Sequence, residues 1–77
     1  MVVTVKFFAS LEESLGKSEE ILESVEIESV FDVWCQVSGE TEKPSNILAA
    51  VNASYARFDD SVKDGDEIAF FPPVTGG

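Results

Sequence analysis

Val3, Val5 and Phe7 alternate with Thr4 and Lys6, the period-two pattern of a strand with one buried face. Ala9 to Leu15 reads as a short helical turn with Leu11 and Leu15 four apart, closed by Gly16 as a C-terminal cap. Ile21 to Ile27 reads as a second strand, with Ile21, Glu23, Val25 and Ile27 on one face and Leu22, Ser24 and Glu26 on the other, although Glu23 breaks the apolar series. Ser29 followed three residues later by Asp32 is a capping signature. Behind it, Val30, Val33, Trp34 and Val37 share one face of a main helix that ends near Gly39.

Glu40 to Ser45 is polar, contains Pro44 and predicts a loop. Ile47 to Val51 and Tyr55 to Phe58 read as a hairpin around a tight turn at Ala53-Ser54. Asp64-Gly65 marks a further turn before a last strand, Glu67 to Phe71. Five strands and one main helix on so short a chain predict an α+β, β-grasp arrangement, a mixed sheet wrapped around the helix, with the first and last strands as central neighbours. The domain is expected over residues 1–71, and residues 72–77 as an extended, flexible tail.

Alternation also predicts what the core leaves out. If Phe7 faces the helix, Phe8 points to the opposite face of the sheet; if Ile68 and Phe70 face inward, Phe71 points outward. In the hairpin, inward Ala56 and Phe58 turn Tyr55 and Arg57 to that same outer face. Phe8, Tyr55 and Phe71 are therefore expected as an exposed aromatic docking patch near the tail. Trp34 is expected in the core. Cys35 lies at the edge of the apolar helix face, with no basic neighbour to lower its pKa.

Composition narrows the chemistry. The 77 residues allow one core and little else. With no His, one Cys, one Tyr and one Trp, the usual acid–base and metal-ligand sets are missing. Fifteen acidic against five basic residues, a formal charge of −10, repel nucleic acid and anionic lipid and favour a partner with a basic face. Glu19, Glu20, Glu23, Glu26 and Glu28 read as a solvated face. The solitary Cys35 permits no internal disulfide, and Met1-Val2-Val3 is too short an apolar run for a secretory signal or membrane span. A soluble protein of the cytoplasm, or of an equivalent reducing space, is expected.

The chain ends Pro72-Pro73-Val74-Thr75-Gly76-Gly77. Two prolines cannot continue a central strand and favour an extended arm. Six extended residues reach roughly 20 Å, enough to enter another protein's active site. Gly76 and Gly77 lack a Cβ, so the backbone passes a narrow slot and a partner's groups approach the terminal carbonyl closely. The α-carboxyl, with a reference pKa of about 3.3–3.7, is an unreactive anion at neutral pH. Activation as a mixed anhydride with AMP, followed by displacement by a sulfur or nitrogen nucleophile, is the usual route. The chain has no phosphate-binding Gly-rich loop with a Lys, so the nucleotide chemistry belongs to a partner.

Leu48-Ala49-Ala50-Val51-Asn52, the turn Asp64-Gly65-Asp66-Glu67, the early Phe7-Phe8-Ala9 and above all Ile68-Ala69-Phe70-Phe71-Pro72-Pro73-Val74-Thr75-Gly76-Gly77 resemble the small, sulfur-carrier subunit of molybdopterin synthase. The resemblance implies a ubiquitin-like β-grasp fold. It implies that Gly77 is adenylated by a ubiquitin-activating-type adenylyltransferase and becomes a thiocarboxylate with sulfur from a sulfurtransferase or desulfurase. That sulfur then passes to cyclic pyranopterin monophosphate in the large subunit, where the catalytic residues are expected. Gly76 is the slender neighbour, and Phe8, Tyr55, Phe71, Pro72, Pro73, Val74 and Thr75 are implied contacts with partners. No bound cofactor is implied, only transient AMP and sulfur on Gly77. Three other readings remain open: a carrier for thiamine or tRNA thiolation, a ubiquitin-like modifier of lysines, and a binding module with an inert tail.

Overall fold

In the computed structural model, which describes residues 1–73, the chain forms β1 (Val2–Phe7), α1 (Ser10–Leu15), β2 (Glu19–Glu23), α2 (Val30–Ser38), β3 (Leu48–Val51), β4 (Ser54–Ala56) and β5 (Glu67–Phe71). The strands make one mixed sheet in the order β2-β1-β5-β3-β4. β1 and β5 run parallel, with Val5 opposite Ile68 and Phe7 opposite Phe70, and the other pairs are antiparallel. The first and last strands are central neighbours, as expected.

Val3, Val5, Phe7, Ala49, Ile68 and Phe70 turn one face of the sheet into the core, where Val30, Val33, Trp34 and Val37 of α2 meet them. Phe70 is the centre of this packing. Its ring lies 6.3 Å from Phe7 and 6.0 Å from Phe58, and edge-on to Trp34 at 5.1 Å. Aromatic pairs at such separations add to the area they bury. α2 starts at a reciprocal cap: the Asp32 amide donates to Ser29 Oγ at 3.2 Å, and the Ser29 amide donates to Asp32 Oδ2 at 3.0 Å. Gly16 and Gly39 close α1 and α2 in the left-handed conformation, where a Cβ is disfavoured.

The second strand departs from its expected bounds. β2 runs Glu19–Glu23, starting two residues and ending four residues earlier than the apolar pattern indicates, and pairs Leu22 with Val3 and Glu20 with Val5. Leu22 therefore packs on the core while Ile21 is 68% exposed. A one-residue change of register inverts both faces of a strand. The inward place of Glu20 is made tolerable by Lys17, which pairs with it and lies over the Phe7 ring. Ile27 reaches the core from an irregular segment, after a bend in which the Glu26 amide donates to Ser24 Oγ.

The hairpin is also shorter than expected. Its two-residue turn is Asn52-Ala53, both at positive φ, and β4 ends at Ala56. Phe58 is buried from the loop that follows. β5 stops at Phe71, and Pro72 and Pro73 lie outside any strand. The residues expected to complete the tail, Val74, Thr75, Gly76 and Gly77, lie outside the described residues.

Candidate functional site

The helices cover one face of the sheet, and the other face carries the side chains that alternate with the core. Phe71 sits opposite Leu48 of β3. Phe8 extends the β1 ladder by one bond beyond the strand, its amide donating to the Phe70 carbonyl at 3.2 Å. Phe8, Phe71 and Leu48 thus form an apolar row at the end of the sheet from which the tail departs. Tyr55 joins it from β4, its ring centroid 5.9 Å from that of Phe71. Phe8 is 48% exposed, Leu48 40% and Tyr55 80%, with Phe71 half-buried between them. Pro72 and Pro73 carry the chain onward from this row. Arg57, expected on the same face, lies past the end of β4 and turns to Asp59 at 3.6 Å.

Leu48 was legible but not singled out: once Ala49 faces the core, its neighbour must face outward. The next rows of the outer face hold Lys6, Ala69 and Ala50, then Thr4 and Glu67. Here Lys6 Nζ lies 3.0 Å from Glu67 Oε1. The hydrogen bond and charge of Glu67 hold the Lys6 ammonium above the usual lysine range.

Phe8 is fixed by an unusual turn. Ala9 has φ 55° and ψ −130°, a region that glycine tolerates and a Cβ does not, and the Leu11 amide closes the turn on the Phe8 carbonyl at 3.2 Å. Non-glycine residues in such regions cost of order 1–3 kcal/mol and are held by their surroundings. At the opposite end of the sheet, Asn52 ties the hairpin to the start of β5: its Nδ2 donates to Asp66 Oδ1 at 2.9 Å, and the Glu67 amide donates to its Oδ1 at 3.0 Å. Those bonds fix the register of the strand that ends at Phe71.

The described residues offer little chemistry of their own. Among them, no group of three or more His, Cys, Asp or Glu side chains could hold a metal ion, and no helix is long and apolar enough to cross a membrane. The thiol of Cys35 is pushed up by burial first and then by the charges of Asp32 and Glu40, the reverse of what a sulfur nucleophile needs. A surface depression of about 440 Å³ is lined by Ser29, Phe31, Lys43, Phe58 and Asp59 and shares none of them with the aromatic row. Of the five expected glutamates, Glu19, Glu23, Glu26 and Glu28 are solvent-exposed.

The sequence model of the ThiS family matches residues 5–77. The molybdopterin synthase sulfur carrier subunit of Escherichia coli is 33% identical over 82 residues, covering 99% of this chain and 100% of that protein. Its namesake in Haemophilus influenzae is 36% identical over 90 residues, with the same coverage. Among solved structures, small archaeal modifier protein 1 of Haloferax volcanii superimposes with a TM-score of 0.84 at 26% identity, covering all of both chains.

Proposed function

We propose, from the premise that this chain belongs to the ThiS family, that its terminal glycine is the group it delivers to other proteins. The chain is a sulfur carrier of the molybdopterin synthase type, as its match to carriers of that name over 99% of its length indicates. In the proposed cycle an adenylyltransferase joins the Gly77 carboxylate to AMP. Sulfide released by a donor protein then attacks the acyl carbon and expels AMP, leaving a thiocarboxylate; in the synthase's large subunit the sulfur bonds to a pterin precursor, and water cleaves the carbonyl carbon from that sulfur to return the Gly77 carboxylate. Gly76 and Gly77 supply slenderness. Phe8, Phe71 and Tyr55, joined by Leu48, supply the docking surface, and Pro72, Pro73, Val74 and Thr75 lead from that surface into the partner's site.

The observation that carries this reading is the coincidence of two features at one end of the sheet. The uncovered aromatic row stands where β5 ends, and the next residues of the sequence run to Gly76-Gly77. A carrier needs a grip and a reactive end, and it needs them adjacent. The test is reconstitution with chemically thiocarboxylated protein, the large subunit and the pterin precursor. Dithiolene formation is expected with the full chain and is expected to vanish when Gly77 is deleted, with the unfolding curve unchanged. Substantial product from the truncated chain would overturn the assignment.

A second reading, attachment to lysines, is favoured by the 0.84 superposition on a protein named as a modifier. It has a distinctive signature. Lys63 is the last basic residue, so trypsin would leave residues 64–77 as a branch on any modified lysine. Mass spectrometry of cell extracts searched for that branch decides whether the chain also modifies proteins.

A further inference from the structure

The outer face of the sheet is not apolar throughout. Its two central strands, β1 and β5, carry the Lys6–Glu67 ion pair directly behind the aromatic row, and at that level only Ala69 and Ala50 separate Lys6 from Tyr55 across the sheet. At about 3.3 Å per residue, Lys6 lies some 7 Å from Phe8 along β1 and Glu67 some 13 Å from Phe71 along β5. A docking interface of standard size buries about 800 Å² on each partner, a disc of roughly 16 Å radius. Centred on Phe71, such a disc covers both charges.

We infer that the Lys6–Glu67 pair is a specificity element of the docking face, covered by the synthase's large subunit and matched there by polar groups. This inference rests on the docking reading given above. In the free protein the two side chains are 38% and 46% exposed, and ion pairs so exposed contribute little to folding. Once covered, the pair becomes costly to break, because removing one member leaves the other charge desolvated and unpaired. A partner presenting only apolar surface here would strand both charges and be rejected, so the pair selects a partner that supplies an acceptor opposite Lys6 and a donor opposite Glu67. Glu19, which stands opposite Lys6 on β2 and adds to the negative potential around it, favours a basic group on the partner beside this point.

The test is a double-mutant cycle on binding to the purified large subunit, using Lys6→Met, Glu67→Gln and the double variant, with Phe71→Ala as a control for the docking face itself. Each single substitution is expected to raise Kd by at least about tenfold, with the urea midpoint of the free protein nearly unchanged. The double variant is expected to bind at least about tenfold better than the two single effects multiplied together predict. Single substitutions that leave Kd within about twofold, while Phe71→Ala weakens binding, would overturn this inference and leave the docking face intact. Unchanged affinity in all the variants, Phe71→Ala included, would overturn both.

Discussion

The rings of Tyr55 and Phe71 lie 5.9 Å apart, tilted by 58°, although their strands are not neighbours. They meet across β3, where Ala50 stands opposite Tyr55 and Leu48 opposite Phe71. The small Ala50 side chain leaves the space that Tyr55 leans over. An aromatic ring 80% exposed, held against another at the edge of an uncovered sheet, gains little for folding and presents a ready contact.

Truncating this row separates binding from folding. Phe71→Ala and Phe8→Ala are expected to weaken large-subunit binding by at least about 1 kcal/mol each, as aromatic anchors do. Tyr55→Ala is expected to weaken it too, with the smallest stability loss of the three because its ring is the most exposed. Calorimetric titration and urea unfolding on the same preparations check the contrast. Unchanged affinity with large destabilisation would place these rings in the core's service instead.

Two alanines occupy backbone conformations that suit glycine, Ala9 at φ 55° and Ala53 at φ 69°. Ala9→Gly and Ala53→Gly are each expected to raise stability by about 0.5–1 kcal/mol, the relief of strain exceeding the entropy that glycine adds to the unfolded chain. For a domain of this size that corresponds to an increase of a few degrees in Tm. A fall in Tm for either variant would show that the turn is unstrained.

Asp66 gives the fold an acid-sensitive joint. The Asn52 amide, and then the Lys63 backbone N–H, hold its carboxyl below its ordinary value of 3.8. A depressed folded-state pKa stabilises the protein above the unfolded value, and that contribution is lost as pH falls through the folded value. Stability is therefore expected to decline below about pH 4 with a component that Asp66→Asn removes. Urea midpoints of the two proteins between pH 2 and 6 should converge on acidification.

Gly76→Ala separates threading from chemistry. The anhydride and thiocarboxylate are assigned to Gly77, so the substitution is expected to leave large-subunit binding near normal and to slow adenylation and sulfur discharge. A misplacement of about 1 Å at a reacting carbonyl costs on the order of 100-fold. Single-turnover assays of both steps check this, and wild-type rates at each would mean that the partners' slots are wide.

Where apolar spacing was unambiguous, the sequence specified the structure. Val30, Val33, Trp34 and Val37 could form only one helical stripe, and the alternation around Phe7 and Phe70 necessarily expelled Phe8 and Phe71. β2 misled because apolar Ile21 and Val25 lie on solvent-facing positions while Glu20 turns inward. The partner that permits this, Lys17, sits in the preceding turn, and a period-two count within the strand cannot register it. The short β4 misled for a similar reason: Phe58 is buried from a loop whose path depends on tertiary contacts. Lys6 and Glu67 are 61 positions apart in sequence and become neighbours only through the parallel pairing of β1 with β5.

The central claim is that sulfur resides on the terminal carboxyl of Gly77, and intact mass measures it directly. Protein purified from cells with the pathway active is expected to contain a species about 16 Da heavier, one oxygen replaced by sulfur, which maps to Gly77 on fragmentation and disappears when the activating enzyme is deleted. A chain of unmodified mass under those conditions, or extra mass localised to Cys35, would contradict it.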